Sequence, residues 1–440
     1  MDFDVLIVGA GLLGLVTAQE LANLRPGLKI GVIEAGPWPG SQADVSALRA
    51  RVKELPYAVR WSTTNQLFAD RGLKEVVGGR SLCWGGVSFR MQESVLADPD
   101  WPPTLKHGGL TSCYERAEEL MHVRPVSNQK LPLAALRLLT GRSLNPLKRA
   151  LLADDVPFSP VVNLRVPKYH IMPGIRVSTV TRSSVGYLKL DCMSSSGRTD
   201  FVARHVVLAC GSIINAAVLA GSVLRESGEF ETTVPIADHL IIGAWTALRE
   251  GEFSQLEGLD ACRLTEGPYY EIAQCYRHQN YRVLDWWTIG DCPPSHTKTV
   301  MISLEKNRVS AEVSFRYTNN DYATAQSMAD AVSEAISAIP AAERTGVMSP
   351  AKPIGLPRLG ESAAFDRWTW YLNPPGSVHH EYATTPFGSG LIDDHAGSKQ
   401  FEGLYVVGCS TFPRMGAFNP SLTALALALR TVDYIVARYY

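Results

Sequence analysis

Near the start of the chain, Gly9-Ala-Gly-Leu-Leu-Gly14 has the types and spacing to hold a dinucleotide. In a G-x-G-x-x-G turn the first glycine permits the tight bend and the second lets a pyrophosphate approach the backbone. The third lets the following helix pack close to the strand. Gly9, Gly11 and Gly14 fill those places, and Glu34 stands where an acid can accept hydrogen bonds from the ribose hydroxyls of an adenosine. The motif alone does not choose between NAD and FAD. A second cluster, Val76 to Ser88, holds Gly78, Gly79, Gly85 and Gly86. Such a stretch is either a surface turn or a loop whose backbone lies flat against a planar or anionic ligand. Towards the other end, His379 and His380 are adjacent, and Asn419-Pro420 comes just before the last helical stretch. A histidine titrates near neutral pH and so suits proton transfer. On residue type alone, however, a loop histidine without a catalytic part is the commoner case.

These residues need elements to position them. Asp4 to Val8 reads as a short buried strand, Leu12 to Leu24 as a helix with apolar periodicity, and Lys29 to Ile33 as a second strand. The context around the glycines is therefore strand, turn, helix, strand, acid. Asp44 to Leu55 reads as a helix with Asp44 as N-cap and Pro56 beyond its end. Leu110 to Met121 has helical spacing, and Arg142 to Arg149 reads as loop. Val177 to Cys192 alternates as two strands joined at Ser183 to Gly186. Phe201 to Ala209 is a strand that ends on Cys210-Gly211-Ser212, and Ile213 to Leu224 a helix, a second βα unit returning to the first sheet. Ile236 to Val313 is strand-like and rich in aromatics, among them Trp245, Tyr269, Tyr270, Trp286 and Trp287, most of which read as core. Asp321 to Ile339 reads as an amphipathic helix stopped by Pro340, Gly403 to Gly408 as a strand, and Leu422 to Tyr440 as a long helix whose N-terminus could face a ligand.

Bulk properties narrow the class. The 440 residues suffice for two or three domains, and 46% apolar with 19% charged content is ordinary for a globular protein. A net charge of -1 gives no reason to expect a nucleic acid or an anionic membrane as partner. The eight cysteines form no C-x-x-C pair, which argues against zinc and a disulfide framework. With the glycine motif so close to Met1 and no long apolar run, a cytoplasmic protein is expected.

Taken together, the motifs resemble the glucose–methanol–choline (GMC) oxidoreductases, FAD enzymes that act on alcohols. The opening unit with Glu34-Ala35-Gly36 is similar to that family's ADP-binding unit, and Gly78-Gly79-Arg80-Ser81 through Trp84-Gly85-Gly86 to its flavin-contacting loop. Val207 to Gly211 resembles its internal FAD strand, and Asp238-His239 falls where the family often has such a pair. His380-x-x-Ala383-Thr384 through Gly388, then Leu404 to Pro413 and Asn419-Pro420, resemble its closing elements. Ala383 replaces the usual glycine, Phe387 the usual methionine and Gly408 a common aspartate, and the chain is short for the family. The resemblance implies an α/β fold: a Rossmann-like FAD-binding domain (1–90, 160–235 and 376–440) and a substrate domain on an antiparallel sheet (91–159 and 236–375).

The resemblance also implies roles. His380 would be the base and Asn419 its partner, with His379 as rival, since neighbours in an extended segment point to opposite sides. His239 would be structural or part of the cofactor shell. The residues around FAD would be Gly9, Gly11, Gly14, Glu34, Ala35, Gly78, Gly79, Arg80, Ser81, Trp84, Gly85, Gly86, Val180, Gly211, Gly408, Cys409, Asn419 and Pro420. Cys83 occupies a position where some members carry a histidine joined covalently to FAD, so non-covalent FAD is expected. The implied reaction takes a hydride from an alcohol, a sugar or hydroxylated metabolite, to the flavin, with oxygen or another acceptor reoxidising it. The alternatives are a flavin-dependent desaturase or amine oxidase, and a flavin-fold protein with a non-redox role.

Overall fold

The computed structural model describes residues 2–40, 45–54, 62–63, 73–163, 167–184, 186–248, 253–265, 267–278, 281–306, 308–339, 343–349 and 367–440. Asp44, Leu55, Pro56 and Pro340, to which the sequence assigns helix boundaries, lie outside these residues.

The strand Phe3–Val8 sits at the centre of a sheet, because both its faces are covered and its apolar run has no polar side to present. It pairs in parallel with Ile30–Glu34 on one side and Gly197–Leu208 on the other. His170–Pro173 extends the parallel edge beyond Ile30–Glu34, and Leu404–Val406 runs parallel to the end of Gly197–Leu208. The start of Gly197–Leu208 pairs instead with Leu188–Ser194, which pairs antiparallel with Ile175–Arg182. One long strand thus joins a parallel core to an antiparallel meander. The helices Leu12–Leu24 and Ser421–Tyr439 pack against one another beside the sheet, and Arg116 on Thr111–Leu120 bonds Glu20 on the first and Asp433 on the second.

A second sheet carries Asp238–Leu248, Asp260–Leu264, Tyr269–His278, Tyr281–Cys292 and Arg367–Asn373, antiparallel throughout this set. The helix Asn319–Ser337 covers it. Thr318 opens that helix with a capping box: its hydroxyl accepts from Asp321 N–H while the Asp321 carboxylate accepts from Thr318 N–H. A smaller sheet pairs Glu231–Pro235, Lys298–Glu305 and Arg308–Phe315, so Glu231–Pro235 does not join the first sheet. Arg142 to Arg149, read from sequence as loop, contains two short strands, Asn145–Pro146 and Lys148–Ala150. Buried Leu144, Leu147 and Ala150 pin that stretch to the core. Among the described residues no helix is long and apolar enough to cross a membrane.

Candidate active site

A cavity of about 940 Å³ runs between the first sheet and the loops that close it, and Gly9, Glu34, Arg80, His380 and Asn419 all line it. Its floor is bare backbone. A Cβ at Gly9 would stand 2.7 Å from the Ala209 carbonyl oxygen, and one at Gly79 3.3 Å from Cα of Gly11, so two glycine loops meet here without side chains. At Gly11 a Cβ would meet nothing within 4 Å, because that position faces the open cavity. The helix Leu12–Leu24 starts there with no side-chain cap and no acid in its first turn, which leaves its N–H groups and positive dipole end for an anion. The helix Ser421–Tyr439 also begins uncapped, with Asn419, Pro420 and Ser421 on the wall.

At the far end of strand Ile30–Glu34 the Glu34 carboxylate accepts from Ala10 N–H at 2.8 Å and Gly36 N–H at 2.9 Å. Burial pushes its pKa up, and the two backbone donors oppose that shift. Each oxygen keeps a lone pair for a ligand hydroxyl. The loop Val76 to Ser88 is held from behind: Arg49 donates to Ser81 O at 2.9 Å and to Trp84 O, and Trp84 Nε1 donates to Phe158 O at 2.7 Å.

Of the expected cofactor residues, Gly9, Gly11, Glu34, Ala35, Gly79, Arg80, Ser81, Trp84, Gly85, Gly86, Gly211, Cys409, Asn419 and Pro420 line the cavity. Gly14 stands behind it, packed so tightly on the Gly9 carbonyl that any Cβ would overlap it. Gly78 and Gly408 also lie off the wall, at φ of +100° and +112°, where they turn the chain. Val180 is displaced from the expectation. The first residues of its strand, Ile175 to Ser178, reach the cavity, whereas Val180 is fully buried under the helix Ser212–Ser227, its N–H bonded to Ser222 Oγ at 2.7 Å.

The loop that carries His380 is held by two separate parts of the chain. The Asp238 carboxylate accepts from His380 N–H at 3.1 Å, His239 N–H at 2.7 Å and Gly376 N–H at 2.6 Å. Ala237 and Tyr382 exchange backbone bonds of 3.0 and 2.9 Å. Glu381, 3% exposed, takes a two-pronged ion pair from Arg80 at 2.7 and 2.9 Å, and Arg80 also donates to His379 O at 3.1 Å. The glycine loop is thereby tied to the histidine loop. Burial raises the Asp238 pKa, and neighbouring Glu381 adds to it.

The side-chain nitrogens form a chain. His239 Nε2 lies 2.7 Å from Gly416 O, His239 Nδ1 lies 2.9 Å from His380 Nδ1, and His380 Nε2 lies 3.4 Å from Asn419 Nδ2. Tyr270 O–H donates to Asn419 Oδ1. A carbonyl oxygen only accepts, so His239 Nε2 carries its hydrogen. Burial drives the His239 pKa down to about 4, and the His380 pKa also falls well below its usual value, through burial first, with the neighbouring His239, His379 and Arg80 side chains adding to it. Both rings are therefore neutral at pH 7. A neutral His239 protonated at Nε2 has a bare Nδ1, so His380 Nδ1 must donate to it, which leaves a lone pair on His380 Nε2. Tyr270 fixes the Asn419 amide with its N–H₂ towards that same nitrogen. A ligand oxygen placed between them would meet one acceptor and one donor.

His239, expected as structural or part of the cofactor shell, lies directly behind His380 and off the cavity wall. One expectation changes here. His379 also lines the cavity, because its φ of +63° breaks the extended alternation that would have turned it away. Tyr270 and Glu381 went unassigned from sequence. Nothing local marks them, since Tyr270 lies 149 residues from Asn419 and Arg80 lies 301 residues from Glu381.

Residues 4–156 match a family model described as FAD dependent oxidoreductase, and residues 294–428 one described as GMC oxidoreductase. The fold is similar to the crystal structure of pyridoxine 4-oxidase from Mesorbium loti, with a TM-score of 0.72, 16% identity and full coverage of both chains. Thiamine thiazole synthase of Emericella nidulans is 48% identical over 60 residues, 12% of this chain and 18% of that protein. The Aspergillus oryzae thiamine thiazole synthase is 55% identical over 42 residues, 10% of this chain and 13% of that protein.

Proposed function

We propose that this FAD-dependent chain acts as a glucose–methanol–choline oxidoreductase, whose family model its residues 294–428 match, and that it oxidises an alcohol to a carbonyl compound. The residues present fit the cofactor: a bare-backbone floor, an uncapped helix N-terminus for the pyrophosphate and a carboxylate for the ribose line one cavity. Bound flavin supplies the two-electron acceptor for the hydride that leaves the alcohol carbon. This chain's residues handle the proton. His380 Nε2 takes it from the alcohol oxygen, and the Asn419 amide donates to the same oxygen and fixes its position. The observation that carries this reading is the convergence of a bare His380 Nε2 and Asn419 Nδ2, 3.4 Å apart, on the cavity.

FAD is held non-covalently in this reading, with Cys83 a side chain of the wall. Residues 1–90, 160–235 and 376–440, without the strand Glu231–Pro235 that pairs in the smaller sheet, serve the cofactor, and the antiparallel sheet with its flanking segments serves the substrate. Oxygen or another small acceptor closes the cycle. The test is anaerobic reduction of the bound flavin by a panel of alcohols, sugars and aminosugars, with His380→Ala alongside. Pyridoxine joins the panel because the structurally similar oxidase is named for it. Bleaching by one class in the wild type, slowed at least a hundredfold in the variant, is expected. Equal bleaching of the two proteins would remove His380 from the proton step.

A further inference from the structure

Behind His380 the chain continues for two more groups, His239 and the Gly416 carbonyl, neither of which lines the cavity. We propose that His239, locked by Gly416 O, sets which nitrogen of His380 carries the proton, and so keeps the Nε2 lone pair turned to the substrate. His239 is a positioning residue in this scheme, and the inference rests on the reading of His380 as the base.

An isolated neutral histidine can carry its hydrogen on either ring nitrogen, and only one of the two forms can accept a proton at Nε2. Nothing on the cavity side enforces that form. Asn419 Nδ2 is 3.4 Å from His380 Nε2, a long and weak contact, and the Asn419 amide is itself set by Tyr270. The strong constraint comes from behind. The 2.7 Å contact to Gly416 O demands a donor at His239 Nε2, and the 2.9 Å contact between the two Nδ1 atoms can then be satisfied only by a hydrogen on His380. The two rings stand nearly perpendicular, at 88°. Asp238 fixes both residues by accepting both backbone N–H groups, which sets the spacing of the rings. A polarity fixed by one backbone carbonyl thus passes through a neutral ring to the base.

The same relation, a buried acceptor behind a histidine that chooses its tautomer, costs about 10⁴-fold in rate when it is reversed in serine hydrolases. The loss expected here is on the order of 10²–10⁴-fold, since Asn419 still offers a weak donor to Nε2. The test uses FAD-loaded protein with ¹⁵N-labelled histidine, and the His380 signals are assigned by their loss in His380→Ala. In the wild type the His380 pair should read as N–H at Nδ1 and bare at Nε2. His239→Leu removes the acceptor, and the pair should move to the opposite tautomer or to a mixture. His239→Gln offers one donor and one acceptor over a similar span and should restore the wild-type pattern and most of the rate of flavin reduction. If His239→Leu does not fold, the glutamine variant and the wild type still decide the matter. A wild-type signal with the proton on Nε2, an unchanged tautomer in His239→Leu, or a shifted one in a folded, FAD-loaded His239→Gln overturns the proposal. The tautomer is read without substrate. If it shifts as expected while no alcohol bleaches the flavin, the positioning role stands and the alcohol reading fails.

Discussion

Tyr270→Phe tests the proton machinery with the smallest change available. The hydroxyl donates to Asn419 Oδ1, and the ring is held by Phe418 at 5.9 Å and Phe89 at 5.4 Å between centroids, so phenylalanine keeps the same seat. Burial pushes the Tyr270 pKa up, so it is a donor at any working pH. Removing one neutral hydrogen bond is worth about 0.5–1.5 kcal/mol, and a buried acceptor left without a donor costs about 1–3 kcal/mol. Asn419 can escape that cost by turning its amide, but Oδ1 would then face the bare His380 Nε2, acceptor against acceptor. If the amide turns, the oxygen of the substrate loses its donor; if it stays, the donor is kept on an amide no longer held in place. A loss of about 1–2 kcal/mol from the transition state corresponds to a fall of about 5- to 30-fold in the rate of flavin reduction. Flavin content should not change, because Tyr270 does not line the cavity. The assay is anaerobic stopped-flow bleaching by the best alcohol of the panel. A double-mutant cycle makes it decisive: in an Asn419→Ala background Tyr270→Phe should have almost no further effect. An undiminished effect there, or no effect in the wild type, would refute the claim that Tyr270 acts through the amide.

Glu34→Gln places an N–H₂ opposite one of two backbone donors, Ala10 N–H and Gly36 N–H. A buried donor facing a donor costs about 1–3 kcal/mol, so FAD affinity should fall by about 5- to 150-fold in a fluorescence titration of apoprotein. Arg80→Leu strands the Glu381 carboxylate beside Asp238, both nearly fully buried. Breaking a buried pair on one side costs about 3–5 kcal/mol, to be read as a lower urea midpoint, and Arg80→Leu/Glu381→Leu should recover part of it. The active form of the base is unprotonated, and burial holds the His380 pKa well below 6.5. Falling pH therefore keeps His380 competent beyond the ordinary histidine range, and the acid limb of kcat/KM should lie below pH 6.5. A limb at or above that value would assign the titration to another group.

The residues legible from sequence alone were those whose job is done by backbone and near neighbours. Gly9, Gly11, Gly14 and Glu34 belong to one strand–helix–strand unit, so order and spacing in the chain already dictate where they lie. The same holds for the glycine loop and for the strands and helices read from periodicity, since a strand's pairing face and a helix's buried stripe are local properties. The alternation argument failed at His379 because it assumes an extended backbone, and the left-handed φ of that residue is set by Arg80 and Asp238 gripping the loop on both sides. Val180 missed the cavity because a motif gives a strand and not how far along it the wall extends. What only the tertiary structure decided is the proton chain itself. His239 and His380 lie 141 residues apart, Gly416 lies 177 residues from His239, and Tyr270 stands on another strand of the sheet that carries His239. A hydrogen's place on a ring depends on what touches the other nitrogen, and those contacts exist only once distant strands have been packed together.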